Sequence, residues 1–263
     1  MKVATWDVNS IRARLPNILA WLDEARPDVL LMQEIKTVDD GFPALEFETR
    51  GYNLALFGQK TYNGVAIASK YRLDDVRRGL PGLDDPQARY LEAWVDAGDQ
   101  GFRVASIYLP NGNPIGTEKF AYKLDWMERL IAHARALLAS EAAIVLGGDY
   151  NVIPEERDCH DPKAWAGDAL FQPESRAAFR RLTHLGYTEA FRALHDEPHA
   201  YSFWDYQGRA FERDAGIRID HLLVSPQAAD RLTGCQIDKA ARAEPHASDH
   251  VPVWCELGPA ERF

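Results

Sequence analysis

Cysteine is scarce in this sequence, and the cysteines that are present do not suggest a covalent framework. Cys159, Cys235 and Cys255 are far apart, odd in number, and in neither a C-x-x-C nor a Cys/His spacing. We therefore expect neither disulfides nor a zinc site, and we predict a reducing, cytoplasmic location. A chain of 263 residues, 46% of them hydrophobic, can bury a stable core without such cross-links.

Long apolar runs and several common catalytic motifs are missing as well. No stretch approaches the roughly 18 apolar residues of a membrane span, and the opening MKVATWDVNS is typical of a strand rather than of a signal peptide. The sequence has no P-loop, no G-x-G-x-x-G after a strand, no H-E-x-x-H and no G-x-S-x-G. These absences argue against the common nucleotide-binding, zinc-protease and serine-hydrolase types.

Positive charge is also in short supply. The chain has 30 lysines and arginines against 40 aspartates and glutamates, which gives a formal net charge of −10. Nucleic-acid-binding proteins usually present a basic surface, because neutralising phosphates releases counterions. The net charge therefore counts against a nucleic-acid partner, although a local basic face is compatible with it.

Hydrophobic periodicity predicts an α/β chain in which strands dominate. One helix opens at Pro16 and ends at Pro27, and two more are expected at residues 120–138 and 177–185. We find no internal repeat and no linker, and we predict a single domain over residues 1–263. Strands are expected at residues 1–7, 28–33, 52–57, 64–69, 88–95, 102–108, 142–146, 200–206, 217–224 and 251–256.

Polar residues recur where the predicted apolar strands end. Such positions are held by the core on one side and exposed on the other, which suits catalytic groups. Two-residue spacing in an extended chain also places both members of a pair on one face. The strand-end groups are Asp7 with Asn9, Glu34, Tyr108, Asp149 with Asn151, and Arg218 and Asp220 together with Asp249 and His250.

Each of these groups has an ordinary structural alternative. An aspartate at a strand end usually caps a turn, Glu34 can simply pair with Lys36, and a lone histidine is more often a hydrogen-bonded structural residue. Their combination favours a catalytic role. Oxygen ligands suit Mg²⁺, a carboxylate orients water, and His, Asn and Tyr stabilise charge that develops on a phosphate. The pattern predicts a metal-dependent phosphodiesterase.

Seven segments resemble one known family in their sequence and order. They are TWDVNSIRAR, DVLLMQEIK, YLPNGN, GGDYNVIP, YSFWDY, GIRIDHLLVS and SDHVPVW, and they run from residue 1 to about residue 255. They resemble exonuclease III and its abasic-endonuclease relatives. The resemblance implies a four-layered α/β sandwich in which two packed mixed β-sheets are flanked by helices. It also implies Mg²⁺ or Mn²⁺ dependence, cleavage 5′ to abasic sites and 3′ to 5′ removal of nucleotides from duplex DNA.

The resemblance also implies roles for the strand-end residues. Asp149 looks like the residue that orients or deprotonates water, Asn151 and Tyr108 like phosphate contacts, and His250 like a phosphate-side donor held by Asp220. These five form the expected catalytic set.

Metal ligands are implied in the same way. Glu34 resembles the principal ligand and Asp249 a second carboxylate near the metal, while Asp7 and Asn9 are further candidates. Asp7 departs from the family, which usually has asparagine there. We hypothesise that Asp7 either adds a metal ligand or repels Asp149 and the phosphate, which would raise the pKa of one carboxyl of the pair.

An apolar cavity for a flipped-out, base-less sugar is expected beside these groups. For the isoleucines among its candidates, burial in the core is an equal alternative, and at least one of the two adjacent aromatics should be exposed. The pocket candidates are Phe203, Trp204, Ile217, Ile219, Arg218 and Asn111.

Several cations are candidate phosphate contacts, although each is individually no better than an ordinary surface residue. The partner implied is duplex DNA with abasic sites or 3′ ends, and the protein is expected to be a monomer without a membrane or obligatory protein partner. Two rivals stay open: a phosphodiesterase for RNA or phosphoinositides, and a catalytically silent DNA-binding relative. The candidate contacts are Arg12, Lys36, Lys119 and Lys123, followed by Arg89, Arg209 and Arg213.

Overall fold

The protein is built from short strands and a few helices. The computed structural model describes residues 1–260. Within these residues, α-helices lie at Leu15–Ala25 (α1), Ala44–Glu48 (α2), Glu118–Leu138 (α3), Pro162–Trp165 (α4), Pro173–Thr183 (α5), Ala190–Leu194 (α6) and Pro226–Ala229 (α7). In that part of the chain, no helix is both long and apolar enough to cross a membrane. Strands lie at Lys2–Asp7 (β1), Val29–Gln33 (β2), Asn53–Phe57 (β3), Val65–Ser69 (β4), Arg72–Arg78 (β5), Tyr90–Asp96 (β6), Phe102–Tyr108 (β7), Ile144–Asp149 (β8), Thr188–Glu189 (β9), Asp220–Val224 (β10), Leu232–Ile237 (β11) and Val253–Leu257 (β12).

The strands form two six-stranded mixed sheets. The first has the order β11-β12-β1-β2-β4-β3 and the second the order β5-β6-β7-β8-β10-β9. Each sheet contains one parallel pair near its centre, β1 with β2 and β7 with β8. The other neighbours are antiparallel.

The two sheets pack face to face and carry helices on their outer faces. Leu31, Val145 and Leu222 belong to the apolar cluster between the sheets. A second cluster joins α3 and α5 to the outside of one sheet, and a third joins α1 and α2 to the outside of the other. The predicted four-layered α/β sandwich is therefore confirmed.

Helix α3 shows how local sequence produces one of these outer layers. The Thr117 side chain accepts the backbone N–H of Lys119, which caps the helix at its start. Met127, Leu130 and Ala134 recur at helical spacing and are buried against the sheet. This amphipathic pattern is why the sequence predicts α3 to within two residues.

The sequence prediction was wrong in part at the sheet edges and in one loop. Residues 200–206 do not form a strand, since only isolated bridges join Phe203 to Ile217 and to His250. Strand β10 begins at Asp220 rather than three residues earlier. Three strands were missed, β5, β9 and β11. Strand β5 is largely exposed, β11 is mostly half-buried or exposed and β9 has two residues, so none of the three carries an apolar alternation.

Candidate active site

Sheet topology brings the polar strand ends to one edge of the molecule. Asp7 pairs in register with Gln33, which precedes Glu34, and Tyr108 pairs with Asp149 across the other parallel pair. The carboxyl ends of parallel strands meet at the same edge of a sheet. The antiparallel β10 contributes its first residue, Asp220, opposite Asp149.

Glycine at the end of β8 allows the neighbouring strand to approach. A Cβ atom at Gly148 would collide with the backbone of Ile107, and one at Gly147 would lie 2.7 Å from side-chain atoms of both Leu31 and Leu222. The two glycines that precede Asp149 therefore let strand and sheet pack closely just behind the site.

The backbone turns sharply as it leaves these strands. Asn9, Glu34 and Asn151 have φ values of 43°, 49° and 46°, in the left-handed region that costs energy for residues other than glycine. Each of these residues carries a polar side chain at the edge of the sheets. Such strained backbone is common at functional sites, where the surrounding fold holds it in place.

Glu34 is held from two sides. Its Oε1 accepts the Tyr108 hydroxyl at 2.6 Å, and its Oε2 lies 2.6 Å from the Lys36 Nζ. Lys36 also donates to the side-chain oxygen of Asn9 at 2.6 Å. Burial, and then the charge of Glu34, raises the pKa of Tyr108 well above its usual value, so this hydroxyl stays a donor.

Asp149 and Asn151 form a tight local unit. The Asn151 backbone N–H and side-chain amide donate to the two oxygens of Asp149 at 2.8 and 2.9 Å. The Asn111 amide donates to Asn151 Oδ1 at 3.1 Å, which joins the loop after β7 to the same unit. The pKa of Asp149 is raised to about 8, and burial is the largest cause of this increase. The charge of His250 acts in the opposite direction, whereas the charge of Asp220 adds to the increase.

His250 is paired with a buried carboxylate. Its Nδ1 lies 2.8 Å from Asp220 Oδ2, and the Phe203 ring packs edge-on against the imidazole at 4.9 Å between centroids. Burial on its own lowers the pKa of His250, but the charges of Asp220 and Asp7 outweigh burial and raise that pKa well above its usual value. The ring is therefore set up as a proton donor at neutral pH.

Asp7 carries the clearest sign of a cation site. It is fully buried, and its Oδ1 accepts the Asn9 backbone N–H at 2.9 Å, while its Oδ2 has no hydrogen-bond partner among residues 1–260. Ligand atoms of Asp7, Asp149 and His250 lie within 4.8 Å of one another. Burial, and next the charge of Glu34, raises the pKa of Asp7 well above its usual value.

These observations fit a divalent cation. A buried carboxylate oxygen without a partner is costly unless a cation or proton compensates it, and oxygen donors of this kind suit Mg²⁺. Asp249 lies nearby, since its Oδ1 accepts the Asn9 amide at 2.9 Å. The pKa values of Asp7 and Asp149 are both raised, but burial is the largest cause for each, and the charge of Asp149 makes only a smaller contribution to the raised pKa of Asp7.

A cavity of about 220 Å³ opens onto this cluster. Its polar side includes Asn111, while three wall residues, Trp165, Asp168 and Leu170, were not anticipated from the sequence. They come from the segment between β8 and α5, in which Trp165 ends the short helix α4 and no periodic pattern marks the three residues. The apolar part of the wall is formed by Trp165, Leu170, Phe203 and Ile219.

Two of the predicted pocket residues face the core instead. Trp204 is fully buried and donates its indole N–H to Asp214 at 3.0 Å, so Phe203 is the more exposed aromatic of the adjacent pair. Ile217 is buried in the same apolar cluster as Ile219 but does not line the cavity.

Arg218, also expected at the pocket, is buried in an ion-pair network behind it. Its Nε lies 2.8 Å from Asp158 and its Nη1 2.9 Å from Glu189. Burial on its own raises the pKa of Glu189, but the Arg218 charge outweighs burial and lowers that pKa to about 2. Arg218 thus ties the loop before α4 and strand β9 to the segment that enters β10.

Lys123 was expected to contact phosphate and is wholly buried in α3. Its Nζ donates to the carbonyl oxygens of Asn111 at 3.1 Å and Asn151 at 2.6 Å, so it supports the site from inside. Burial lowers its pKa to about 7. Among the other candidate cations, Arg12 and Lys119 are exposed, whereas Lys36 is engaged with Glu34.

The fold and the site together define a hydrolase whose polar groups meet at one edge of two packed sheets. The sequence pattern of the Endonuclease/Exonuclease/phosphatase family matches residues 4–250, and the chain belongs to that family.

Individual proteins resemble almost the whole chain. It is 34% identical to an exodeoxyribonuclease III of Haemophilus influenzae over an aligned length of 270 residues, and the alignment covers 98% of this chain and 100% of that protein. An AP endonuclease from Archaeoglobus fulgidus superposes with a TM-score of 0.93 at 36% identity, over 98% of this chain and 99% of the other. The structure of a 3′ phosphatase from Neisseria, NExo, bound to a product DNA hairpin superposes with a TM-score of 0.94 at 40% identity. The superposition covers 98% of this chain and 99% of the other.

Proposed function

We propose that this protein is a Mg²⁺-dependent DNA-repair phosphodiesterase. It cleaves duplex DNA 5′ to abasic sites and removes nucleotides from 3′ ends. The observation that carries the proposal is the meeting of Asp149 and the Asp220–His250 pair beside a cavity with an apolar wall. The named activities of the similar proteins support the choice of DNA as substrate.

The residues of the site have separate roles in the proposed reaction. Asp149, with a pKa raised to about 8, suits the acceptance of a proton from water at near-neutral pH, because a general base works best near the operating pH. Its two hydrogen bonds from Asn151 hold the carboxylate in one orientation. His250 donates from Nε2 to a phosphate oxygen while Asp220 fixes the ring through Nδ1.

Asp7 and Glu34 would hold the cation, with Asp249 next to them. A bound Mg²⁺ supplies charge stabilisation for the phosphate as its negative charge develops. The Tyr108 hydroxyl and the Lys36 ammonium keep the Glu34 carboxylate in place from opposite sides.

The cavity favours a sugar without a base. A volume of about 220 Å³ is below the roughly 300 Å³ at which drug-sized ligand pockets begin, and Leu170 and Phe203 give one side of the cavity an apolar surface that suits a sugar ring. The decisive assay is incision of a duplex with one abasic site, in Mg²⁺ and in Mn²⁺, beside an intact duplex and a 3′-phosphate end. Failure to incise with either metal would refute the proposal, and cleavage of RNA or phosphoinositide instead would identify a rival substrate.

A Leu170→Ala variant tests the cavity directly. A wider cavity should reduce the preference for abasic over intact DNA by about 10-fold, since apolar contacts of this size discriminate by 1–3 kcal/mol. Leu45→Ala is the matched control, because Leu45 is 69% exposed. An unchanged ratio of kcat/KM values in Leu170→Ala would show that this wall does not select the substrate.

We also propose that the protein acts as a single-domain monomer in the cytoplasm. Its three cysteines are buried as free thiols, which is typical of reducing compartments. Sedimentation equilibrium would test the monomer, and a dimer at micromolar concentration would contradict it.

A further inference from the structure

A second cavity lies beside the proposed active site. Its volume is about 400 Å³, and its lining includes Arg14, Tyr206, Arg242, Glu244 and His246. Tyr206 is 49% exposed. The cavity therefore presents an aromatic ring and two guanidinium groups to solvent.

The two arginines around Tyr206 are not used for ion pairing. Within residues 1–260, neither Arg14 nor Arg242 has a carboxylate within salt-bridge distance, and the buried Nε of Arg14 has no hydrogen-bond partner. Arg14 donates through Nη2 to the Tyr206 hydroxyl at 2.9 Å, and Arg242 donates to the Trp204 carbonyl at 3.3 Å. Their guanidinium carbons lie 5.9 and 5.0 Å from the Tyr206 ring centroid.

The charge of the cavity is positive in an otherwise acidic protein. The chain has a formal net charge of −10, yet the carboxylate at this cavity comes from Glu244 alone among the described lining residues. Glu244 is exposed and forms no salt bridge with either arginine. Two planar guanidinium groups with free donors are suited to the oxygens of a phosphodiester.

The cavity lies next to the proposed metal site, and the side chain of Asn9 contacts both. The Asn9 amide lies 3.5 Å from the Tyr206 hydroxyl and 2.9 Å from Asp249 Oδ1. The Tyr206 hydroxyl also donates to the carbonyl of Ala247 at 2.9 Å, two residues before Asp249. Because a DNA strand carries a phosphate about every 3.4 Å of helix axis, a strand with one phosphate at the metal site passes this cavity within a nucleotide or two.

We propose that the cavity around Arg14, Tyr206 and Arg242 binds a backbone phosphate of the DNA strand next to the phosphate that is cleaved. This inference rests on the proposed function, because it requires DNA at the metal site. It also explains how a chain with an acidic net charge holds a polyanion: a local pair of unpaired arginines stands at the site itself. None of the cations expected from the sequence to contact phosphate belongs to this cavity.

Salt dependence of binding tests the proposal separately from catalysis. Each phosphate contact contributes about 0.9 to the slope of log affinity against log salt concentration. The Arg14→Ala/Arg242→Ala double variant should therefore bind an abasic duplex more weakly and with a slope lower by about 0.9. Between about 50 and 200 mM salt, the affinity advantage of the wild type should shrink about 3-fold. Binding is measured by fluorescence anisotropy in EDTA, so that no cleavage occurs.

Two further variants make the result specific. The matched control is Arg135→Ala/Arg180→Ala, because both arginines are exposed on outer helices away from the cavity; it should keep the wild-type slope. Arg14→Lys/Arg242→Lys retains the charges and should keep the slope while losing part of the affinity, since lysine lacks the bidentate fork. Thermal unfolding verifies that each variant is folded.

The possible outcomes separate this inference from the proposed function. A wild type that neither binds nor incises abasic DNA would overturn both. A wild type that incises DNA, together with a folded alanine double variant of unchanged slope, would overturn the phosphate site alone. An equal loss of slope in the Arg135→Ala/Arg180→Ala control would overturn it as well.

Discussion

Replacing Asp7 by asparagine is the most informative perturbation of this site. Asparagine has the same shape and retains an oxygen to accept the Asn9 N–H that Asp7 now binds at 2.9 Å. The substitution removes one negative charge from a fully buried position where the second carboxylate oxygen lacks a partner among residues 1–260. It therefore changes charge while leaving packing nearly unaltered.

The size of the effect follows from the spacing of the cluster. Ligand atoms of Asp7 and Asp149 lie within 4.8 Å, and two unit charges at about 5 Å interact by about 3 kcal/mol at an effective dielectric constant of about 20. That energy is an upper bound, because a carboxyl that stays protonated contributes no repulsion. Converted at 1.4 kcal/mol per decade, it corresponds to at most about a 100-fold change in the proton affinity of Asp149.

Three measurements on Asp7→Asn follow from this. The Mg²⁺ concentration for half-maximal incision should rise, because the site loses one of the carboxylates that would hold the cation. The acid limb of the pH–rate profile should move to lower pH, because removing a neighbouring negative charge lowers the pKa of Asp149 and keeps it deprotonated. Direct titration with Mn²⁺, followed by electron paramagnetic resonance, should show the weaker site without any turnover.

The pH dependence of stability without metal provides an independent test of the raised pKa of Asp7. The folded protein holds the Asp7 proton more tightly than the unfolded chain does, so this residue makes the folded state less stable as the pH rises from the ordinary carboxyl pKa through the raised one. The Asp7→Asn variant does not lose stability in this way, because asparagine does not titrate. In EDTA the variant should melt at a higher temperature than the wild type at pH 8, and the difference should fade toward pH 4.

The reasoning would be refuted by an Asp7→Asn variant with wild-type Mg²⁺ dependence, an unmoved acid limb and a melting difference independent of pH. Asp125→Asn is the control, since Asp125 is exposed on α3 and should change none of these quantities.

Three other substitutions test separate parts of the structure. Asp220→Asn should slow incision by about 100-fold or more and move the basic limb of the pH–rate profile to lower pH, because His250 loses the carboxylate that raises its pKa; single-turnover rates across pH measure both. Tyr108→Phe should slow incision by about 10- to 100-fold, since a hydrogen bond to a charged group such as Glu34 contributes about 1.5–3 kcal/mol. Arg218→Met should lower the free energy of unfolding by about 3–5 kcal/mol in a urea titration, because Asp158 and Glu189 both lose the buried guanidinium that they contact.

Matched variants define what would contradict these expectations. Tyr62→Phe alters a tyrosine that is 69% exposed and should leave the rate unchanged. Arg72→Met breaks an exposed ion pair with Asp96 and should not measurably change stability. A basic limb unmoved in Asp220→Asn, or equal urea midpoints for Arg218→Met and Arg72→Met, would contradict the assigned roles.

The identity of the strand-end residues was readable from the sequence. Apolar runs that stop at Asp7, Glu34, Tyr108 and Asp149 predict buried strands that end in polar side chains, and two-residue spacing predicts that Asn151 lies on the same face as Asp149. Strand ends are local features, so a linear pattern is enough to find them. Parallel pairing then places them together at one edge, as the structure shows.

What lines the cavity was decided only by the tertiary structure. Phe203 faces the site while its neighbour Trp204 is buried, and Leu170 reaches the site from a loop without periodicity. Lys123, a typical surface residue by its sequence, is buried where the loops after β7 and β8 offer the carbonyl oxygens of Asn111 and Asn151 to its ammonium. The direction of a side chain in an irregular loop depends on contacts between residues far apart in the chain, whereas the period of a strand fixes direction locally. For that reason the chemistry of this protein was visible in its sequence, and the shape of its cavity was not.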